Sequence, residues 1–128
     1  MAVAVCLETP TEFRRYTCAD GNNIPIGTLL KLEDPHTVAA TAADNDPFAG
    51  IAWEEKTASD GITEITVAKN GVWDITTSAA VAIGERVSIS GANTIAKVAA
   101  ADLLFANVGV AEEACIGAEA IRIRVNSN

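Results

Sequence analysis

One histidine, three cysteines and a cluster of four carboxylates are the side chains through which this sequence would do chemistry. His36 sits in a "DPHT" turn. A histidine becomes a general base when a carboxylate orients one ring nitrogen and a nucleophile meets the other. No serine stands in a nucleophile elbow, and no Asp or Glu holds a recognisable orienting position, so His36 reads as a structural or solvent-exposed turn residue. A Cys18–His36 pair is conceivable, yet neither residue carries the local signature of a cysteine hydrolase. Cys6, Cys18 and Cys115 are odd in number and lack metal-knuckle spacing, which predicts three free thiols in a chain made in a reducing cytosol.

The carboxylates Asp44, Asp46, Glu54 and Glu55 raise the question of calcium. A calcium loop of the EF type needs oxygen ligands at alternate positions and a glycine at the sixth. Counted from Asp44, the fifth position is Phe48 and the sixth Ala49, so the pattern fails although Glu55 falls at the twelfth. A solvated acidic loop is expected, with no metal. Neither phosphate-cradling glycine motif occurs, which excludes nucleotide chemistry of that kind. Trp53, Trp73 and Tyr16 would make a sugar-stacking platform if they converged; scattered aromatics are more often core or interface anchors. The expectation is a protein that is not an enzyme and takes no cofactor and no small-molecule substrate.

The elements that must position these residues are short. The 128 residues are 49% apolar but only 5% aromatic, rich in Ala, Val and Ile, a composition for thin, close layers and for strands. The formal charge of −8 leaves no basic face for nucleic acid, the only paired basic residues being Arg14-Arg15 and Arg122/Arg124. "MAVAVCLE" reaches Glu8 too soon for a secretory leader, and no apolar run approaches the ~20 residues of a membrane span. Residues 1–11 read as an apolar arm interrupted by Pro10, without a partner pattern.

Beyond it, "EFRRYTC", "GTLLKLE", "VAA" and "AGIAWEE" read as strands separated by turn chemistry. "ITEITVAKNGVWDITT" (62–77) carries the strongest local signal, two alternating runs around Asn70-Gly71, which predicts a type I′ hairpin. "RVSIS", "TIAKV", "FANVGVA" and "EAIRIRV" follow as strands, and "AAADLLF" (99–105) suits a short helix. The fold class is all-β, a barrel or sandwich.

The chain also repeats itself. Shifted by 57 positions, Ile26-Gly27 falls on Ile83-Gly84, Leu30 and Leu32 on Val87 and Ile89, Thr37-Val38-Ala39 on Thr94-Ile95-Ala96, and Phe48-Ala49 on Phe105-Ala106. After a two-residue slip, Gly50-Ile51-Ala52 meets Gly109-Val110-Ala111. This predicts an N-terminal arm and first strand in 1–16, then one β-rich domain in 17–128 built from two similar halves, about 24–52 and 81–111. Each half alone exposes an apolar face that packing together buries.

From Tyr16 to Val125 the layout resembles the small capsid decoration, or cement, proteins of tailed bacteriophages. The matching stretches are "IPIGTLLKL", "FAGIA", "KNGVWDITTSAAVAIGERVSI" and "VGVAEEACIGAEAIRIRV". Some members of that family carry a label of RecA-type recombinase; a chain with no phosphate loop and a charge of −8 holds neither ATP nor a DNA backbone. The resemblance implies a virion protein on the outer capsid surface, bound to the major capsid protein and often trimeric where capsid subunits meet. There it stiffens the shell against internal pressure, with no nucleic acid and no membrane as partner. The longer "KTASDGIT" excursion and the three cysteines depart from the family pattern. The expected contact residues with the capsid or a neighbouring subunit are Val3, Val5, Leu7, Phe13 and Tyr16. The alternatives are a small β-domain binding module, for glycan or protein, and another phage head or tail component.

Overall fold

The computed structural model describes residues 3–98 and 106–126. Eleven strands lie among them: β1 (Val5–Glu8), β2 (Phe13–Thr17), β3 (Leu29–Asp34), β4 (Thr37–Ala40), β5 (Phe48–Ala52), β6 (Glu64–Ala68), β7 (Asn70–Thr77), β8 (Arg86–Gly91), β9 (Thr94–Lys97), β10 (Asn107–Ala111) and β11 (Ala120–Asn126). They close into two five-stranded barrels. In the first the order is β2-β4-β3-β5-β6, closed by the β6–β2 pair. In the second it is β7-β9-β8-β10-β11, closed by the β11–β7 pair. Closure removes most of the sheet edges that short strands of this composition would otherwise expose.

The two barrels share one topology, and the repeat extends well beyond the similar segments of sequence. Each has one short parallel strand pair at the same place, Thr17 with Thr37 in the first and Thr76 with Thr94, followed by Thr77 with Ile95, in the second. Each has an irregularity at the same point of its central hairpin, between Leu32 and Asp34 and between Ile89 and Gly91. Gly27 and Gly84 both have positive φ, 92° and 86°, and His36 and Asn93 both turn at φ 56°. The Gly27 N–H donates to Ala52 O at 2.9 Å, and the Gly84 N–H to Ala111 O at 2.8 Å. Isolated bridges Ile24–Lys56 and Val81–Cys115 complete the correspondence.

The glycine of the repeated "G-[IV]-A" strand has a packing reason. A five-stranded barrel is narrow, so neighbouring strands cross closely. A Cβ at Gly109 would overlap the Arg124 carbonyl of β11, and one at Gly50 would lie 2.7 Å from the Ala68 carbonyl oxygen of β6. Only glycine lets the strands approach that far.

Two apolar clusters hold the fold. Tyr16, Cys18, Ile24, Leu30, Val38, Ala49, Ala52, Ile65 and Val67 fill the first barrel. The second cluster joins the inward residues of the other barrel, Trp73, Ile75, Val87, Ile89, Ile95, Val108, Ile121 and Ile123 among them, to Leu29, Phe48, Ile51 and Ala68 of the first. Strand β5 therefore has no solvent face, and all five of its residues are buried. Polar contacts lock the junction: the Leu29 N–H donates to Asn93 Oδ1 at 2.9 Å and the Asn93 N–H to Thr41 Oγ1 at 3.1 Å.

Two expectations are corrected. Asn70-Gly71 is not a hairpin turn: β6 belongs to the first barrel, β7 to the second, and the chain passes between them through Lys69. Asn70 already pairs with Asn126, and its Oδ1 accepts the N–H groups of Thr11 (2.8 Å) and Glu12 (3.1 Å). Gly71 takes φ 106°, and a Cβ there would stand 3.0 Å from Glu8 O. The dipeptide that suits a tight turn here lets a crossing segment pass closely. Nor is the N-terminal segment without a partner. Strand β1 runs antiparallel to β7, with Val5 opposite Asp74 and Cys6 opposite Trp73. Since β2 pairs with β6, residues 5–17 accompany residues 64–74 across both barrels. The helix expected at 99–105 and Phe105 of the repeat lie outside the described residues. Among the described residues no helix is long and apolar enough to cross a membrane.

Candidate interaction surface

The groups with catalytic potential are built into the scaffold. Cys18 is buried inside the first barrel. Burial pushes its thiol pKa up, as do Asp60 and Asp20, and Lys56 only partly opposes them. A thiol held protonated is a poor nucleophile. His36 is an exposed turn residue whose carbonyl accepts the Thr17 N–H at 2.9 Å and whose ring lies 5.1 Å from that of Tyr16. Cys115 is buried with its Sγ 3.4 Å from Thr77 Oγ1. Cys6 is half-buried, and burial raises its thiol pKa too.

The carboxylates act on their own chain. Asp46 Oδ2 accepts the N–H groups of Ala42 (2.8 Å) and Ala43 (2.9 Å). Burial acts to raise its pKa, but those bonds and nearby Lys31 leave it below the ordinary value. Glu54 Oε1 accepts the Thr66 N–H at 2.6 Å and meets Arg15 Nη1 at 3.1 Å. Its bonds with Thr66, ahead of the Arg15 charge, lower its pKa. Glu55 accepts the Ile26 N–H at 3.1 Å. Among the described residues no group of three or more metal-ligating side chains converges.

Two buried lysines escape sequence reasoning altogether. Lys56 has no exposed surface, and its Nζ donates to Asp60 Oδ1 (2.9 Å), Asp20 O (2.8 Å), Asp20 Oδ1 (3.2 Å) and Thr57 O (3.2 Å). It ties the "ADGNN" turn to the "KTASDG" loop, so the excursion before β6 is pinned at its base. Hydrogen bonding to Lys56 is the largest cause that brings the Asp60 pKa down to about 2. Lys69, at the crossing between barrels, donates to Ala49 O at 2.6 Å and Tyr16 Oη at 3.1 Å. A buried charge needs such partners; in the sequence both lysines look like surface residues.

The expected contact residues divide by exposure. Val5, Leu7 and Phe13 are 58%, 42% and 40% exposed, and Val3 is half-buried. Tyr16 points into the first barrel core and presents no surface to a partner. Val3, Ala4, Val5 and Cys6 form one wall of an open apolar groove of about 600 Å³, with Ile26, Trp53 and Trp73 as the other. Phe13 packs on Trp53 at 5.2 Å, and Trp53 meets Trp73 edge-on at 6.0 Å and 83°. Trp73 is 1% exposed, and Tyr16 lies inside the first barrel, so the three rings expected as a sugar platform do not share an open face. Phe13, Trp53 and Trp73 instead make an apolar seam, with β1 beside it.

The architecture now has a parallel among solved structures. The chain is similar to the head fiber gp8.5 N base in bacteriophage phi29, with a TM-score of 0.58 over 90% of this chain and 93% of that one, at 14% sequence identity. The fold is shared. No protein-family model matches the sequence, and no curated protein matches it. The likeness is therefore one of architecture, spanning nearly the whole of both chains.

Proposed function

We propose that this protein is a structural component of a phage head that decorates the outer surface of the capsid and stabilises the shell. The observation that carries this reading is the likeness of its whole fold to the base of a phage head fiber. The sequence resemblance to capsid decoration proteins agrees with it. So do two barrels whose buried lysines are held by acceptors of their own chain, and an acidic charge of −8 that suits the outside of a particle better than a lumen filled with phosphates.

In this reading the partner is the major capsid protein, the assembly on the shell is a homotrimer, and no catalysis, cofactor or small-molecule substrate is involved. Val5, Leu7 and Phe13, with Val3 in the groove, form the contact patch. Exposed apolar residues clustered beside a groove mark interaction sites. Val5→Asp and Leu7→Asp are expected to weaken shell binding while leaving the fold intact. Because the solved likeness is to a fiber base, a low-copy head attachment is the second reading. Quantitative mass spectrometry of density-purified particles separates the two. Copy numbers comparable to the major capsid protein support decoration; a handful of copies supports an attachment; absence from particles overturns both.

A further inference from the structure

The duplicated barrels differ at one sheet edge, and the difference exposes an unfilled strand position. Residues Phe13–Arg15 of β2 correspond to Val72–Asp74 of β7, since Thr17 and Thr76 make the matching parallel contacts with β4 and β9. Both strands give one side to an antiparallel neighbour, β6 and β11. On the other side β7 receives β1, with Val5 opposite Asp74, Cys6 opposite Trp73 and Glu8 opposite Val72. On that side of β2, among the described residues, only Thr17 is paired.

Backbone polarity shows which groups are left open. The Lys69 N–H donates to Glu12 O, and the Cys18 N–H to Thr63 O, so even-numbered residues of this stretch face β6. The Thr17 N–H donates the other way, to His36 O. By strand alternation the N–H and C=O groups of Phe13 and Arg15 lie on the open edge. Side chains there are exposed, and Arg14, which stands where β7 has the buried Trp73, has no ion pair among the described residues. An edge of this kind, in an otherwise closed barrel, is a template for strand addition.

We infer that the Phe13–Arg15 edge of the first barrel accepts an extended segment of the shell protein, in the way that β7 accepts β1. The inference rests on the capsid-decoration reading and names how that contact is made. The internal precedent specifies the occupant: four or so residues, antiparallel, apolar at alternate positions to lie along Phe13 and Trp53, and bearing a carboxylate for Arg14. Arg15 is already held by Glu54 at 3.1 Å and Glu64 at 3.3 Å, which keeps the edge extended before the segment arrives.

The test is amide-resolved hydrogen exchange on the full chain, free and bound to purified shells. Co-sedimentation is read first, and its absence overturns both the decoration reading and this one. In the bound fraction the Phe13 and Arg15 amides are expected to slow by about tenfold or more, as amides do on entering a ladder. Exchange at the free rate in the bound fraction overturns the strand assignment alone. Slowing that appears when the free chain is merely concentrated assigns the edge to a second copy and overturns the shell partner.

Variants give an independent reading. Phe13→Pro removes the ring together with one outward N–H, a loss of a donor that an edge strand tolerates, while Phe13→Ala removes the ring and keeps the donor. Shell affinity is expected to fall by about tenfold more in Phe13→Pro than in Phe13→Ala, the effect of one lost hydrogen bond. Equal affinities in folded proteins overturn the proposal. Arg14→Glu, whose side chain lies clear of the β2–β6 ladder, is expected to weaken binding in low salt; unchanged affinity counts against the carboxylate-bearing occupant.

Discussion

Replacing Gly109 by alanine tests the closed-barrel geometry more sharply than any core truncation. The new Cβ would overlap the Arg124 carbonyl oxygen and lie 2.9 Å from its carbon and 3.0 Å from Val125 Cα. All three are backbone atoms of β11, which is held on its far side by seven registered pairs with β7, so no side chain can rotate away. Overpacking costs typically 1–3 kcal/mol, and a clash with fixed backbone belongs at the upper end, about 3 kcal/mol. For a chain of this length that lowers the melting temperature by roughly 10 °C. Two glycines serve as internal standards. Gly84 has open space but φ 86°, so Gly84→Ala costs about 1 kcal/mol of backbone strain. Gly117 has neither a neighbour within 4 Å nor a positive φ, so Gly117→Ala is neutral or stabilising by a few tenths of a kcal/mol. Urea unfolding with an unchanged slope reads all three. A Gly109→Ala protein within about 0.5 kcal/mol of wild type, the spread of innocuous substitutions, would refute the close β10–β11 crossing.

Other expectations follow from the buried polar groups. Asp60 has its pKa lowered from 3.8 to about 2 in the folded chain, so its contribution is complete above pH 4 and is lost as pH falls toward 2; the urea midpoint of wild type should drop across that window more steeply than that of Asp60→Asn, and parallel curves would contradict the clamp. Asn93→Ala strands the N–H of buried Leu29 and strains a turn at φ 56°, a loss of about 2 kcal/mol by chemical denaturation. Asn93→Asp, which keeps the acceptor, should cost much less, and equal losses would remove the junction hydrogen bond from the account. Native thiol labelling at pH 7 should proceed slowly at Cys6 and not at Cys18 or Cys115, which are buried; rapid reaction of all three would contradict the packing.

The sequence exposes the parts of this architecture that repeat. Ile-Gly, Thr-apolar-Ala and "G-[IV]-A" each mark a place where the barrel demands one residue type: a positive φ at Gly27 and Gly84, a hairpin strand at Thr37 and Thr94, a close crossing at Gly50 and Gly109. The units are longer than the legible repeat because β2 and β7, or β6 and β11, share alternation and pairing but few side chains. Asn70-Gly71 misleads for a physical reason. A glycine at positive φ and an amide that caps neighbouring N–H groups serve a crossing between barrels as well as a turn, and local pattern cannot tell which sheet each flanking strand joins. The apolar residues at the N-terminus are legible in the sequence, but the pairing of β1 with β7 and Tyr16's place inside the barrel depend on strands roughly fifty to seventy residues away. Lys56 and Lys69 look like surface residues because the Asp20 and Ala49 carbonyls that accept from them are brought in by the fold, and only Asp60 and Thr57 lie nearby in sequence.

Cryo-electron microscopy of intact virus particles tests the central claim most directly. The account predicts paired five-stranded barrels on the outer face of the shell, repeated with the capsid lattice, the first barrel's Phe13–Arg15 edge against the shell protein. Shells with no such density outside, or the same density confined to the tail or the capsid interior, would contradict it.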